Sequence, residues 1–292
     1  MTTIAPTPGS QVGKGAANVP EIRVASPADL QFAEGSGALR YSVTLDERGH
    51  MDMLLLNKGS RELLVVFHGA TVPGHHHLPR FEWLRTLNER TDFSCLFVSD
   101  PTLTLDTDLL LGWYLGWKGM DLYPLLGETV QRAASAVAAE KIILTGSSGG
   151  GFASLQVAPY LPGSLAIPFN PQTDVTRYHW NAQASYLRRV MPHLRQRENR
   201  KAWGRTLGDR TAATRRYGKP QPNHVLYVQN VRDEHHYHHH YRPFAERAEK
   251  GPNKERLVFE EYSAAPFHEP PGRGRFVETI QRGSKMLEQW PG

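Results

Sequence analysis

Between Lys141 and Ala153 the chain reads K-I-I-L-T-G-S-S-G-G-G-F-A. A short apolar run rich in β-formers breaks into glycine and serine, then resumes as a segment compatible with a helix. Gly146 and Gly150 stand two residues before and two after Ser148. Those are the positions where a sharp strand-to-helix turn has room only for small residues, and the turn leaves the central hydroxyl standing above the strand end. Ser148 is therefore the candidate nucleophile. Ser147 is the neighbouring alternative, but it would place the β-branched Thr145 at the crowded position that Gly146 fills for Ser148.

With 292 residues the chain can bury a large core without disulfide or metal staples. Its single cysteine, Cys95, lies in an apolar run, excludes an internal disulfide and reads as a small buried hydrophobe. The first twenty residues, rich in Pro, Gly, Ala and Thr, lack the apolar core of a signal peptide, and no later run reaches membrane-span length. We expect a flexible leader over 1–20, no membrane span and a cytoplasmic protein. The formal net charge of +5 is a modest surplus of the kind that keeps a surface soluble.

Read in order, the chain has the rhythm of an α/β protein. L-R-Y-S-V-T-L (Leu39 to Leu45) alternates like a half-buried strand, and a turn at D-E-R-G-H leads to M-D-M-L-L-L as its antiparallel partner. A continuous apolar run follows at Glu62 to Phe67, and further strands are expected at Phe93 to Val98, at the entry to the Ser148 turn, at Gly163 to Phe169, at His224 to Gln229 and at Glu255 to Tyr262. Runs of this kind are buried on both faces of a parallel sheet. Helical spacing appears over Phe81 to Arg90, Leu126 to Ala138, His238 to Lys250 and Gly274 to Trp290. Between Thr173 and Lys219 the rhythm stops. Twelve basic residues face three acidic ones there, with helical stretches around Ala182 to Leu194 and Trp203 to Tyr217. We expect a basic helical cap insertion over 173–223 in a domain that spans 21–292. Trp113, Tyr114 and Trp117 read as core.

A serine on a tight turn, an acid after the penultimate strand and a histidine after the last strand come in chain order. In this the sequence resembles the α/β-hydrolase superfamily, whose triad runs Ser, Asp or Glu, His. The resemblance covers roughly Leu39 to Gln289 and implies the α/β-hydrolase fold: a mostly parallel central sheet with antiparallel first strands, helices on both faces and a cap. Carried over by position, Ser148 is the nucleophile, Asp233 the acid and His268 the base. The 85 residues from Ser148 to Asp233 leave room for a strand and a cap, and the 35 from Asp233 to His268 fit one helix and one strand. Asp174, after the preceding strand, is the alternative acid. The H-G-A-T loop after the third strand implies that the backbone N–H of Ala70, with that of Gly149, forms the oxyanion hole. A looser resemblance, carried by G-S-S-G-G-G, N-P-Q-T-D and Q-N-x-x-D-x-H-H, is to bacterial α/β-hydrolase-like proteins of surface-glycan and capsule biosynthesis or accessory secretion.

These residue types suit acyl chemistry. A serine hydroxyl becomes a good nucleophile when a base takes its proton, and an acid fixes the base's tautomer. We expect a serine hydrolase of esterase or acyltransferase type. It would act on a small-molecule or glycan ester, an anionic one if arginines of the insertion reach it. The competing classes are a non-catalytic α/β-hydrolase-like binding protein and a nucleic-acid binder. No triad position is lost and no nucleic-acid motif accompanies the basic residues, so neither is favoured. No nucleotide or flavin fingerprint appears, so no cofactor is expected. The histidine runs at 75–77 and 235–240 lack the spacing of a metal centre, so no metal is expected either; they could instead line the pocket mouth.

Overall fold

The computed structural model describes residues 5–12, 16–72, 74–195 and 202–290. In chain order its strands are β1 (Glu21–Val24), β2 (Gly37–Thr44), β3 (His50–Asn57), β4 (Glu62–Phe67), β5 (Ser94–Val98), β6 (Lys141–Ser147), β7 (Leu165–Phe169), β8 (His224–Asn230) and β9 (Leu257–Tyr262). They form one sheet in the order β1-β2-β3-β5-β4-β6-β7-β8-β9. The β2–β3 and β3–β5 pairs are antiparallel and every later pair is parallel. The helices are α1 (Leu84–Arg90), α2 (Leu122–Ala136), α3 (Gly149–Val157), α4 (Trp180–Arg189), α5 (Ala202–Leu207), α6 (Ala213–Arg216), α7 (Glu234–His236), α8 (Arg242–Glu249) and α9 (Arg273–Gln289).

The run of β4 lies buried on both faces, as do β5, β7 and β8, whereas β9 at the sheet edge is buried only at Leu257 and Tyr262. Along β4, Leu63, Val65 and Phe67 enter one core with Leu126, Val130, Phe152 and Leu155 of α2 and α3. Leu64 and Val66 enter a second core with Leu84, Leu87, Phe276 and Ile280 of α1 and α9. Successive side chains of a strand point to opposite faces, so the two cores are the two sides of the sheet. Cys95 is buried in the second.

Four expectations needed revision. β1 was not foreseen, because four residues, E-I-R-V, carry too little periodicity to read; it pairs parallel with β2 at the sheet edge. Residues 1–20 are not wholly a loose leader. Thr7 bridges Ala38, Asn88 Nδ2 donates to Gly9 O, and Ala16 and Val19 are buried in the second core. Apolar side chains spaced among the small residues supply enough burial to hold that segment; residues 1–4 and 13–15 of this expectation lie outside the described residues. Helix α4 ends at Arg189, short of the expected Leu194, because Pro192 disfavours helical backbone just before it. The helix expected from His238 is divided: α7 leads into a π-helical turn, Tyr237–Tyr241, before α8 begins. The insertion between β7 and β8 is helical, with α4, α5 and α6 joined by 3-10 turns, and its residues 196–201 lie outside the described residues.

The β6–α3 turn is fixed by steric exclusion. A methyl built on Gly146 would stand 2.4 Å from Phe67 O, and one on Gly150 2.2 Å from the same oxygen. We expect Gly150→Ala to lower unfolding free energy by about 1–3 kcal/mol, the usual cost of overpacking. Gly274→Ala, in the first turn of α9 where a methyl has open space, should leave it unchanged or raise it by roughly 0.5 kcal/mol. Urea unfolding of the two variants separates the cases, and equal stabilities would contradict the steric account.

Candidate active site

Ser148 sits between β6 and α3 with φ 57° and ψ −119°, a backbone conformation that costs an L residue energy and persists only where its surroundings impose it. Its N–H donates to Phe169 O at 3.0 Å, which holds the turn against the end of β7. The residue is 9% exposed, and it opens into a cavity of about 740 Å³.

His268 lies in the loop after β9 and lines the same cavity. Its Nδ1 donates to Asp233 Oδ2 at 2.6 Å. A carboxylate only accepts, so Nδ1 carries a proton, and in the neutral ring the lone pair is on Nε2. Asp233 follows β8 and is almost fully buried, whereas the His268 side chain retains 30% of its surface. Burial alone would raise the Asp233 pKa, but hydrogen bonds from His236 and His268 outweigh it and hold the group well below the usual carboxylate range. Two asparagines fix the histidine loop. Asn230 Nδ2 donates to Ala265 O at 2.9 Å, and Asn170 Nδ2 donates to Glu269 O at 3.1 Å. Asn170 itself has φ 43°.

The loop after β4 passes close to the elbow: a methyl on Gly69 would stand 3.1 Å from Ser147 O and 3.7 Å from Ser148 Cβ. Gly69 N–H donates to Glu82 Oε2, Gly69 O accepts from His68 Nδ1, Ala70 O accepts from Arg80 Nη1 and Thr71 N–H donates to Leu110 O. Ala70 N–H is left without a partner among the described residues. Gly149 N–H, at the first position of α3, belongs to the helix-end groups that have no acceptor within the helix.

No family model matches the sequence, and no curated protein matches it by sequence. Solved structures match it in shape. The capsule O-acetyltransferase of Neisseria meningitidis serogroup A superposes with a TM-score of 0.55 and 12% identity, over 85% of this chain and 93% of that one. A candidate esterase from Staphylococcus aureus gives 0.53 and 13%, over 86% and 84%. Dipeptidyl peptidase 4 of Porphyromonas gingivalis gives 0.54 and 14%, over 88% of this chain and 36% of that one. The chain has the α/β-hydrolase fold.

On this α/β-hydrolase sheet the alternative residues have other partners. Ser147 ends β6, and its Oγ is buried with no hydrogen-bond partner among the described residues. Asp174 caps the turn that follows it, accepting from Thr176 N and Oγ1 at 2.9 and 2.6 Å. Among the described residues, the arginines of the insertion do not line the cavity. Arg189 binds Asp106 and Asp108, Arg210 binds Leu115 O and Met120 O, and Arg216 binds Gln156. Of the described insertion residues only Tyr178 reaches the cavity; its arginines are Arg80, Arg85 and Arg273, from other elements.

The sequence reading missed two residues, Gln172 beside Ser148 and His236 behind it against Gln172. Gln172 Nε2 lies 2.9 Å from Ser148 Oγ and 2.8 Å from His236 Nε2. His236 Nδ1 lies 3.1 Å from Asp233 Oδ1, and its ring stacks on that of His268 at 3.8 Å between centroids and 9° between planes. Gln172 was readable only as part of a strand-exit loop, and His236 was one histidine in a run; neither pattern says which side chain turns inward. Asp233, His236 and His268 bring ligand-type atoms within 4.8 Å of one another. The two rings are parallel and each already directs Nδ1 at its own oxygen of Asp233. Their in-plane lone pairs run side by side and do not converge on one ion.

Several of these imidazoles are held neutral. Burial, offset in part by Asp233, pushes His236 down to about 4, burial and the neighbouring His179 push His235 to about 4, and burial with Arg80 nearby pushes His68 to about 3. An unfolded histidine titrates near 6.5. Between about pH 6.5 and 4 the unfolded chain therefore binds protons that the folded chain refuses, and stability falls as pH falls through that window. The urea midpoint should drop between pH 7.5 and pH 5. A midpoint that stays constant would mean the imidazoles take up protons in place.

Proposed function

We propose that this chain is a cytoplasmic, serine-dependent carboxylic-ester hydrolase that works through an acyl-enzyme intermediate, built as one domain over 21–292 with 173–223 as its cap. One observation carries the reading: Ser148, held on a strained turn, and His268, held on Asp233, open into one cavity close to the loop of Ala70.

In this reading His268 Nε2 takes the proton as Ser148 Oγ attacks the ester carbonyl carbon. The carbonyl electron pair moves to oxygen, where Ala70 and Gly149 N–H receive it. Collapse expels the alcohol, which takes the proton from His268, and water repeats the sequence on the acyl-enzyme. Asp233 keeps the imidazole proton on Nδ1 and stabilises the charged ring. Ser148 Oγ is bonded to Gln172 in the resting structure; the bond to His268 is the one that substrate binding must complete, as catalytic contacts commonly tighten in the complex. A cavity of about 740 Å³ suits a small-molecule ester or the end of a glycan. Arg273 on its wall favours a substrate with negative charge, while the neighbouring Arg85 is paired with Glu89.

A second reading keeps the mechanism and changes the acceptor: the acyl group passes to a sugar hydroxyl of a bacterial surface glycan instead of to water. The shape match to a capsule O-acetyltransferase favours it. An acetyl-ester donor incubated with and without glycan separates the two, because transfer yields acetylated glycan and hydrolysis yields free acetate.

A fluorophosphonate probe should label the native chain, with the adduct mapped by mass to Ser148. Ser148→Ala and His268→Ala should abolish labelling, and Asp233→Asn should lower ester turnover by roughly 10⁴, the scale seen when a triad acid is lost. A folded native chain that takes no label would exclude the acyl-enzyme reading and leave a non-catalytic binding protein.

A further inference from the structure

The amide of Gln172 has only one orientation that satisfies all its neighbours. Trp113 Nε1 lies 3.3 Å from Gln172 Oε1. An indole N–H can only donate, so the oxygen of the amide must face Trp113 and the NH₂ must face the other side. There it meets Ser148 Oγ and His236 Nε2. Its two hydrogens go one to each, which requires His236 Nε2 to be the unprotonated nitrogen. The His236 proton is then on Nδ1, and Nδ1 faces Asp233 Oδ1. Asp233 spends its other oxygen on His268 Nδ1. The chain of donors closes without a conflict, and each side chain in it except His268 is buried.

We infer that Gln172 is a further catalytic residue, a fixed N–H donor to Ser148 Oγ, with Trp113 and His236 as the positioning residues that hold its amide in that orientation. This rests on the acyl-enzyme reading above. With one lone pair of Oγ occupied by Gln172, the hydroxyl proton of Ser148 is free to turn toward His268. During attack the O–H bond breaks, its proton goes to His268 Nε2 and the Oγ–carbon bond forms. During deacylation the carbon–Oγ bond breaks, its electron pair returns to Oγ and His268 gives the proton back. In both steps Oγ carries developing negative charge, and a hydrogen bond donated to a charged group is stronger than one to a neutral group. The donor thus stabilises the transition state more than the resting serine, as catalysis requires. The stack of His236 on His268 has a consequence of the same sign: a neutral lower ring lets His268 take up a proton without facing a second positive charge.

Two measurements test this. In the native protein, ¹⁵N-resolved NMR of the histidine rings should show His236 protonated at Nδ1 and bare at Nε2. A proton on Nε2 would mean that the amide is reversed, and the inference would be wrong whatever the enzyme does. In kinetics, Gln172→Met keeps the volume and removes the donor. Its rate of phosphonylation at Ser148 and its kcat on p-nitrophenyl acetate should fall about tenfold to a hundredfold, with KM little changed. Should that variant fail to fold, Gln172→Glu keeps the shape and replaces the donor by an acceptor, and the same fall is expected. A native chain that labels while a folded Gln172 variant labels at the native rate would overturn this role and leave the hydrolase reading standing. A native chain that does not label would overturn both.

Discussion

The carbonyl oxygen of Phe67 is the point on which the site is built. Gly146 and Gly150 pack against it so closely that neither can carry a side chain. Because Phe67 ends β4 and Gly146 lies in β6, this contact brings the loop after β4 directly beside the Ser148 turn. Two chain segments eighty residues apart in sequence thereby share one edge of the sheet. A parallel sheet sends the exits of successive strands to the same side, and the tight turn decides that what meets there is a backbone amide and a hydroxyl rather than two bulky side chains.

Around that contact the catalytic-type side chains are linked by hydrogen bonds from Gln172 through His236 and Asp233 to His268. Asp233 is the sink. It takes one hydrogen bond from the solvent-facing imidazole and one from the buried one, and so remains ionised despite its burial. An unpaired carboxylate at that depth would be costly, and a protonated one could not orient His268. In the loop after β4, Gly69 N–H and O, Ala70 O and Thr71 N–H have partners, and Ala70 N–H has none among the described residues. Asn170 and Asn230 fix the His268 loop. The site is thus held by side chains from the exits of β4, β6, β7, β8 and β9, and its geometry is a property of the sheet as a whole.

The sheet was legible because central parallel strands buried on both faces appear as apolar runs, as at Glu62 to Phe67, while the edge strand β9 keeps charged residues among its apolar ones. The edge was less legible. The four residues of β1 and the packed part of the leader take their structure from Ala38 and the β2 edge, a long-range cause that no local window contains. The insertion was recognised by its charge, but charge does not say where an arginine points. Arg189 and Arg210 proved to be occupied by aspartates and by carbonyls of the segment that carries Trp113, so they tie the insertion to that segment instead of facing the cavity.

What the sequence by itself determined is the order of elements and the identity of the turn residue, because small residues at fixed spacing and strand-length apolar runs are local constraints. The expectation that Asp233 and His268 act together also came from order along the chain. Only the tertiary structure decided what stands next to Ser148. Gln172 and His236 carry no local signature: they lie 24 residues and 88 residues beyond the serine. Gln172 meets its hydroxyl, and His236 meets Gln172, because β7 and β8 run parallel to β6 and end at the same edge. The direction of the Gln172 amide depends further on an indole from the loop before α2, a choice of hydrogen-bond polarity that exists only once the three side chains touch.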